Sequence, residues 1–499
     1  MAGREHVISV EELLSRKVNV VRTECGQTNS RGNDADQETQ RSNDSTRKQR
    51  LEQLEKAGGD NVVPNQAETN ISKIQKVTFL LREHKNVAKY FEPRVVPLGP
   101  IHHGKPKYQK AEEYKLRLAN AFVKESGEGK TAESLYAEIE KKIKQLREYF
   151  DEEVTDKYDD KDLAWMLFVD GCAVLQFIQC AVKDKFQDMK IKNDQAVFGQ
   201  QDLFLLENQL PYQLLKDLMK LSEKKETLKQ SINSFIDIQY ATTTQTAANC
   251  KDKQKPAHLL DRLRTRLLGN RESPRITAEK RNKSKSTGGG QGGQDSQSFR
   301  NVQELRVAGI QLKPSTSGSL THVSFSDRST FYPGYLSLRQ IIVDDSTGPK
   351  LLNLAAYEMC PDFDNDFGVT SYICFLDSLI DHPDDVKELR KAQILHNLLG
   401  SDKEVAKLFN DIATDLVPNP ETYSKVKQQI QKCYDNKWKT WIAQAIHDHF
   451  SSPWTFVGFL AALVALGLTA IQTVYTVRGS PSDSRDHSPP APRIPKRYY

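Results

Sequence analysis

The sequence predicts a mainly α protein: a multi-helix globular domain with a small β region at about 320–345 and one C-terminal transmembrane helix. Three observations lead there. From Trp454 to Val477 the chain runs 24 residues without a charge and then meets Arg478. Elsewhere apolar residues recur mostly at helical spacing, as in the stripe Leu135, Ile139, Ile143, Leu146 and Phe150. The alternating, β-branched pattern of short strands is confined to H-V-S-F-S and F-Y-P-G-Y-L-S-L-R-Q-I-I-V-D-D.

A helix rising 1.5 Å per residue needs about 20 apolar residues to cross roughly 30 Å of hydrocarbon. Between Phe456 and Val477 there are 11 Leu, Ile, Phe or Val residues. These favour insertion by roughly 3 to 7 kcal/mol, which Gln472 and the threonines reduce without reversing. Ser452 can cap the first turn, Pro453 suits its start, and Trp454 and Tyr475 stand as interfacial aromatics ahead of Arg478. The expected partner is therefore a lipid bilayer, and the expected location a membrane, the plasma membrane first. Gly458 with Ala462, and Ala461 with Ala465, would let two such helices approach closely, so a homodimer through the span is an option.

Leu163 to Val182 competes for the same reading, with nine Leu, Ile, Phe or Val residues. Asp170 inside that run would take back up to about 2.5 to 3.5 kcal/mol in lipid. It is read as the central buried helix of the globular part, where Asp170 finds a partner.

Two rules disagree on which side the large domain occupies. The N-terminus has no apolar run of signal-peptide length, which favours a tail-anchored protein facing the cytosol. The tail carries Arg478, Arg485, Arg493, Lys496 and Arg497, against Lys437 and Lys439 before the span, which would keep the tail in the cytosol instead. Asn-x-Ser sequons at Asn43, Asn70 and Asn282 would then be glycosylation candidates. The side of the large domain stays open.

A formal charge of +5 is small against 71 basic and 66 acidic residues, so composition points to no nucleic-acid partner. Seven cysteines, at 25, 172, 180, 250, 360, 374 and 433, show neither CxxC nor ligand-like pairing with His. That argues against a disulfide scaffold and a structural zinc site. G-G-G-Q-G-G at 288–293 lacks the strand before it and the Lys-Ser/Thr after it that a phosphate loop requires. No cofactor is expected.

Along the chain, residues 1–70 are expected to be a disordered polar region, with R-K-Q-R-L-E-Q-L-E-K at 47–56 as a transient helix. The globular domain spans 71–450, interrupted by a flexible loop at 270–299 whose K-R-N-K-S-K is read as solvated linker. Its first motif, Y-F-E-P-R-V-V-P-L-G-P-I-H-H-G, has Pro and Gly too closely spaced for anything but an irregular path. Pro211 suits the first turn of a helix, with Glu207, Asn208 and Gln209 at the junction before it. After the loop, Val302 to Ile310 reads as a helix, and helices resume at Lys350 after the strands. D-D-V-K-E-L-R-K-A-Q-I-L-H-N-L-L-G reads as a helix capped by Gly400, and S-D-K-E at 401–404 as a capping box. The last helix before the anchor runs from about Glu421 to Phe450, and 478–499 is a short basic, Pro-rich tail.

In order along 71–478, these landmarks resemble the plant proteins grouped as domain of unknown function 247, the UPF0481-like membrane proteins. E-P-R-V-V-P-L-G-P-I-H-H-G at 92–104, D-G-C at 170–172, L-F-L-L-E-N-Q-L-P at 203–211 and H-L-L-D at 258–261 carry the match. So do E-L-R-V-A-G-I at 304–310, N-L-A-A-Y-E at 353–358, Y-I-C-F-L-D-S-L-I at 372–380, the run at 398–410 and P-W-T-F-V-G-F-L-A-A from Pro453. Ile101 stands where the family often has Tyr. The resemblance implies a mostly helical, membrane-associated plant protein without an established reaction, and a link of certain grass members to self-incompatibility.

The best constellation for chemistry is His102, His103, Asp170, Glu207, Asn208, His258 and Asp261, which together would offer a base, a carboxylate and an amide. The structural alternative has Asp170 and Glu207 capping helix ends in the core while His102 and His103 bond backbone in the Pro/Gly loop. Buried polar groups serve structure more often than catalysis, so that alternative is preferred. Cys172 and Cys180 have no basic neighbour in sequence and read as packing residues. The working reading is a single-pass membrane protein that acts by protein–protein recognition or signalling through an unidentified partner, not an enzyme. A hydrolase-like or metal-dependent enzyme using the His/carboxylate set is the alternative.

Overall fold

The computed structural model describes residues 51–52, 72–240, 255–269, 301–326, 334–363, 366–435 and 453–478. Two compact units divide the chain, Met1–Asn70 and Ile71–Tyr499; only Leu51 and Glu52 of the first are described, both helical. The second unit is the one considered below. The expectations for 1–70, the 270–299 loop, the helix beyond Asp435, the three sequons, the Trp454 side chain and the 479–499 tail lie outside the described residues. Helix accounts for 62% and strand for 6% of the described residues, so the class is mainly α with small sheets.

Ile74 exchanges backbone hydrogen bonds with Tyr149 (2.8 Å) and Asp151 (3.0 Å), tying the entry of the unit to its interior. A single-turn helix α1 (Phe79–Arg82) and a 3-10 turn at Ala88–Phe91 lead into the Pro/Gly segment. Then follow α2 (Gln109–Glu125), α3 (Ala132–Glu140), α4 (Ile143–Arg147) and α5 (Asp160–Lys183). All five residues of the expected apolar stripe are buried, but they do not share one helix. The chain turns at Lys142, whose amide bonds the Ile139 carbonyl, and Phe150 lies past α4, bridged to Ile74.

Helix α5 is the axis of this half. Its Asp159 carboxylate accepts the Lys161 and Asp162 amides (2.9 and 2.8 Å), satisfying two of the free donors that every helix start leaves. Helices α2 and α3 pack on it, as do α7 (Tyr212–Leu221) and α8 (Lys225–Tyr240), which follow α6 (Asn193–Asp202). Gly171 permits the α7 approach, because a Cβ there would stand 2.6 Å from Leu218 Cδ1 and 3.2 Å from Leu214 Cδ2.

The other half begins with α9 (Leu259–Leu268) and α10 (Val302–Val307). Next come β1 (Ile310–Pro314), β2 (Ser324–Ser326), β3 (Gly334–Leu338) and β4 (Ile341–Val343). Helices α11 (Thr347–Glu358), α12 (Gly368–Asp377) and α13 (Pro383–Lys391), strand β5 (Leu395–Asn397), α14 (Asp402–Ala413) and α15 (Ser424–Asp435) complete it. One sheet has the order β1-β3-β2, with β1 parallel and β2 antiparallel to β3; in the other, β4 runs parallel to β5.

Two strands correct the sequence reading. Ile310 opens β1 instead of closing a helix, in register with Gly334. The segment expected as one helix to Gly400 ends at Lys391, where Gln393 takes φ +56° and turns Ile394 and Leu395 into a pairing with Ile341. Ser401 does cap α14 by accepting the Glu404 amide, but the Glu404 carboxylate returns to the Gly400 amide (3.1 Å).

Among the described residues, two helices are long and apolar enough to cross a membrane, and burial separates them. The apolar window of α5 is 83% buried, whereas that of α16 (Pro453–Arg478), which contains Gly458, Ala462 and Tyr475, is 0% buried. A helix that is apolar on every side is satisfied by protein in the first case, whereas in the second no residue of the window is buried among the described residues.

Candidate functional site

The E-P-R-V-V-P-L-G-P segment forms neither helix nor strand, so its backbone groups need partners from side chains. They have them. The Asp202 carboxylate, at the C-terminal end of α6, accepts the amides of Arg94 (2.9 Å), Val95 (2.8 Å) and Val96 (2.9 Å). Asn208 accepts the Leu98 amide (2.7 Å) and donates to the carbonyls of Val96 (3.0 Å) and Asp202 (2.9 Å). Asp170 accepts the Gly99 amide (2.8 Å), and Lys115 donates to the Pro97 carbonyl (3.0 Å). Tyr108 and Tyr158 donate to the carbonyls of Pro93 (2.5 Å) and Pro100 (3.1 Å). Gly99, at φ +66° with the Gln209 carbonyl 3.2 Å from where a Cβ would sit, is the one residue type that fits its turn.

Asp170 and Lys115 form a buried ion pair at 2.7 Å, with Glu112 also 2.9 Å from the ammonium. Burial pushes the Asp170 carboxyl above its ordinary value, and Lys115 and the Gly99 amide pull it back. Asp170 thus lies mid-helix and caps nothing, which corrects the expectation of a helix-end role. Burial pushes Asp202 up to about 6 against its three amide donors.

His102 and Glu207 meet. His102 is 1% exposed; its Nδ1 lies 2.8 Å from the Lys105 ammonium, which can only donate, so the ring proton sits on Nε2, 3.1 Å from Glu207 Oε2. Glu207 also accepts the Val77 amide (2.8 Å) and pairs with Arg82. Burial opposes the charge on Glu207, but the hydrogen bonds from His102, Arg82 and Val77 outweigh it and hold the carboxyl below its ordinary value. Neither residue fills the role expected of it: Glu207 serves an incoming loop and not a helix end, and His102 bonds side chains and not backbone. His103 is separate from this pair, about a third exposed, with its ring edge on Tyr158 and its Nδ1 3.9 Å from Glu112.

His258 and Asp261 belong to another network. His258 is the N-cap of α9: its Nδ1 accepts the Asp261 amide (3.1 Å), while Asp261 accepts the Ala257 amide (2.9 Å). H-L-L-D is therefore a capping arrangement with histidine in the usual Ser/Thr place. Burial pushes His258 down to about 3, which keeps it neutral and able to accept. Gln209 links the two networks, accepting the Leu260 amide (3.0 Å) and donating to the carbonyls of Leu203 and Leu205 (2.8 Å each).

Among the described residues, no group of three or more His, Cys, Asp or Glu side chains is placed to hold a metal ion. The cavity beside the wired loop, lined by Val95, Leu98, Leu118, Val174, Phe177 and Leu203 among others, holds about 30 Å³, room for about one water-sized group. Cys172, beside Asp170, is buried and its thiol is pushed far up by that burial alone, the opposite of an activated nucleophile.

Sequence reasoning missed Asp202, Lys115, Arg82 and Asn353. Asn353 of α11 accepts the Leu206 amide (2.8 Å) and donates to the Tyr90 carbonyl (2.8 Å), joining the two halves at the same motif. N-L-A-A-Y-E carried the available signal, since a lone Asn interrupts an apolar run in the middle of α11 there. It likewise missed Arg264 of α9, which pairs at 2.7 Å with Glu358 of α11, whose carboxylate accepts the Val369 and Thr370 amides that open α12.

No solved structure matches the chain. Over 433 residues it is 27% identical to "UPF0481 protein At3g47200" of Arabidopsis thaliana, covering 81% of this chain and 86% of that protein. Over 172 residues it is 28% identical to "Putative UPF0481 protein At3g02645" of the same plant, covering 34% and 32%. The model of the family described as "Plant protein of unknown function" matches residues 74–468, from the strand-like entry at Ile74 through the wired loop and capped helices into α16, and the chain belongs to that family, DUF247.

Proposed function

We propose that this protein is held in a membrane by α16 and acts through its globular part in protein–protein recognition or signalling. The observation that carries the reading is α16 itself: its apolar window has a mean hydropathy of 2.0 and, among the described residues, none of its residues is buried. Lipid is the medium that satisfies such a surface. The motif side chains support a binding role over a catalytic one, because Asp170, Glu207, Asn208 and His258 each accept a backbone amide and so hold local structure. The plasma membrane is the location proposed.

Two measurements test it. Protease protection of the full chain in sealed vesicles reports which side holds the globular part and, with it, the compartment of any partner. Alanine at His102 and at Glu207 is expected to lower the unfolding temperature, with alanine at the partly exposed His103 lowering it less. Stable, folded variants of His102 and Glu207 that have lost a measurable turnover would replace this reading with an enzymatic one.

A further inference from the structure

From Leu163 to Cys180 helix α5 is buried at every position but one, and the exception is its largest side chain. Trp165 is 52% exposed. Its indole is nonetheless held, edge on to Tyr136 of α3 (centroids 5.8 Å apart, planes at 65°) and tilted against buried Phe168 (6.1 Å, 42°). Tyr136 in turn meets Phe168 edge to face at 5.7 Å. A ring fixed by two others gives up little freedom when a ligand covers its remaining surface.

The charges beside these rings are carboxylates. Glu140, one turn along α3, accepts from the Tyr136 hydroxyl (3.3 Å), and Asp162 lies one turn before Trp165 on α5. Burial and then Glu140 raise the Tyr136 phenol, with Asp159 and Asp162 adding to the effect. Among the described residues none of these three carboxylates has a cation in ion-pair range. The stretch 151–162 that leads into α5 holds seven carboxylates against Lys157 and Lys161. Arg147 takes Asp160 (2.7 Å) and Lys157 lies over the Tyr158 ring (4.8 Å), so the excess is negative even with both lysines counted.

We propose that this surface, Trp165 and Tyr136 beside Glu140 and Asp162, docks an arginine-bearing basic segment of a partner protein. The proposal deepens the recognition reading and rests on it, naming the face used and the chemistry of the partner. A guanidinium is planar, weakly hydrated and always charged, so it can stack on the indole while its N–H groups reach a carboxylate. A neutral apolar partner would bury Glu140 and Asp162 without compensation, and an acidic one would be repelled. Lysine supplies the charge without the flat face, which selects arginine over it.

Full-length protein in nonionic detergent micelles would be titrated with a labelled Arg-Gly-Ser repeat peptide and with the same repeat carrying Lys or Glu in place of Arg. The arginine peptide is expected to bind saturably and more tightly than the lysine peptide, the glutamate peptide not at all, and added salt should weaken the complex. Trp165→Ala should lower the affinity about fivefold or more. Because that change also removes ring contacts within the fold, Glu140→Gln with Asp162→Asn is its companion. Asp162 is exposed and Glu140 partly so, and both replacements keep the side-chain shape, so the unfolding temperature should stay near native while the affinity falls by a similar factor. An arginine peptide that does not bind, that binds both variants as tightly as the native chain, or that binds no better than the lysine or glutamate peptide overturns the proposal. So does self-association that Trp165→Ala abolishes without any peptide binding, which would give the face to a second copy of the chain. Any of these failures, with the native chain still pelleting after an alkaline carbonate wash, removes this face and leaves the membrane-held recognition reading standing. Release of the native chain by that wash removes the recognition reading whatever the peptide does.

Discussion

Lys115 of α2 and Asp170 of α5 stand 2.7 Å apart with side chains no more than 2% exposed, at the point where the Pro/Gly loop crosses the central helix. Removing one partner leaves an uncompensated charge in the core. Lys115→Met and Asp170→Leu are each expected to cost about 3–5 kcal/mol in denaturant unfolding of the full chain. The double variant should recover part of that by removing both charges. Recovery stays incomplete by about 1–3 kcal/mol, because the Gly99 amide and Pro97 carbonyl lose their partners in every variant lacking these side chains. A double variant no more stable than the singles would refute the pairing.

Acid should destabilise the unit through His258. Its folded value of about 3 lies below the ordinary 6.5, so the folded state binds the proton less readily than the unfolded chain. The stability it contributes is complete above pH 6.5 and is lost as pH falls toward 3, by roughly 5 kcal/mol in total. Asp202 acts in the opposite sense, its raised value of about 6 removing stability as pH rises from 3.8 through 6, by roughly 3 kcal/mol. His258→Asn, which keeps an N-cap acceptor, should flatten the acid limb of a stability–pH curve; an unchanged limb would place the titration elsewhere.

Asp202 should also govern the order of the loop it holds. Asparagine has one acceptor oxygen where aspartate has two, and three amides share the pair. Asp202→Asn is therefore expected to speed hydrogen exchange at Arg94, Val95 and Val96 by tenfold or more, corresponding to about 1–3 kcal/mol, while the amides of α5 keep their protection. Uniform acceleration across the unit would mean that the change loosens the fold as a whole.

How much of this was legible follows from the distance between partners. Period and length were enough to mark α5 as buried and Asp170 as paired, because nine apolar residues around one acid leave no other affordable place for it. What Asp170 pairs with was not legible, since Lys115 and Gly99 lie 55 and 71 residues away. The motifs at 203–211 and 258–261 stood out as words, but their meaning is written in groups on other elements: Val77 for Glu207, Leu98 for Asn208, Leu260 for Gln209. Strands β1 and β5 failed for the same reason. Three to five residues carry too little periodicity alone, and each is a strand because a distant segment, Gly334–Leu338 or Ile341–Val343, offers its edge.

Membrane retention should depend on the apolar face of α16 in a graded way. Leu463 and Leu466 are exposed near the middle of the helix, where no described residue covers them. Arginine at a span centre costs about 2.5–3.5 kcal/mol and forfeits the leucine's own contribution of about 0.3–0.6. One substitution therefore removes roughly half or more of the insertion energy, and Leu463→Arg with Leu466→Arg together, at roughly 6–8 kcal/mol, offsets most or all of its range of about 3–7. Alkaline carbonate washing of membranes should leave the native chain in the pellet, release part of the single variant and release most of the double. Equal release of all three would show that α16 is covered by protein and not by lipid, because a helix packed in a protein groove away from hydrocarbon does not sense a charge at its bilayer midpoint.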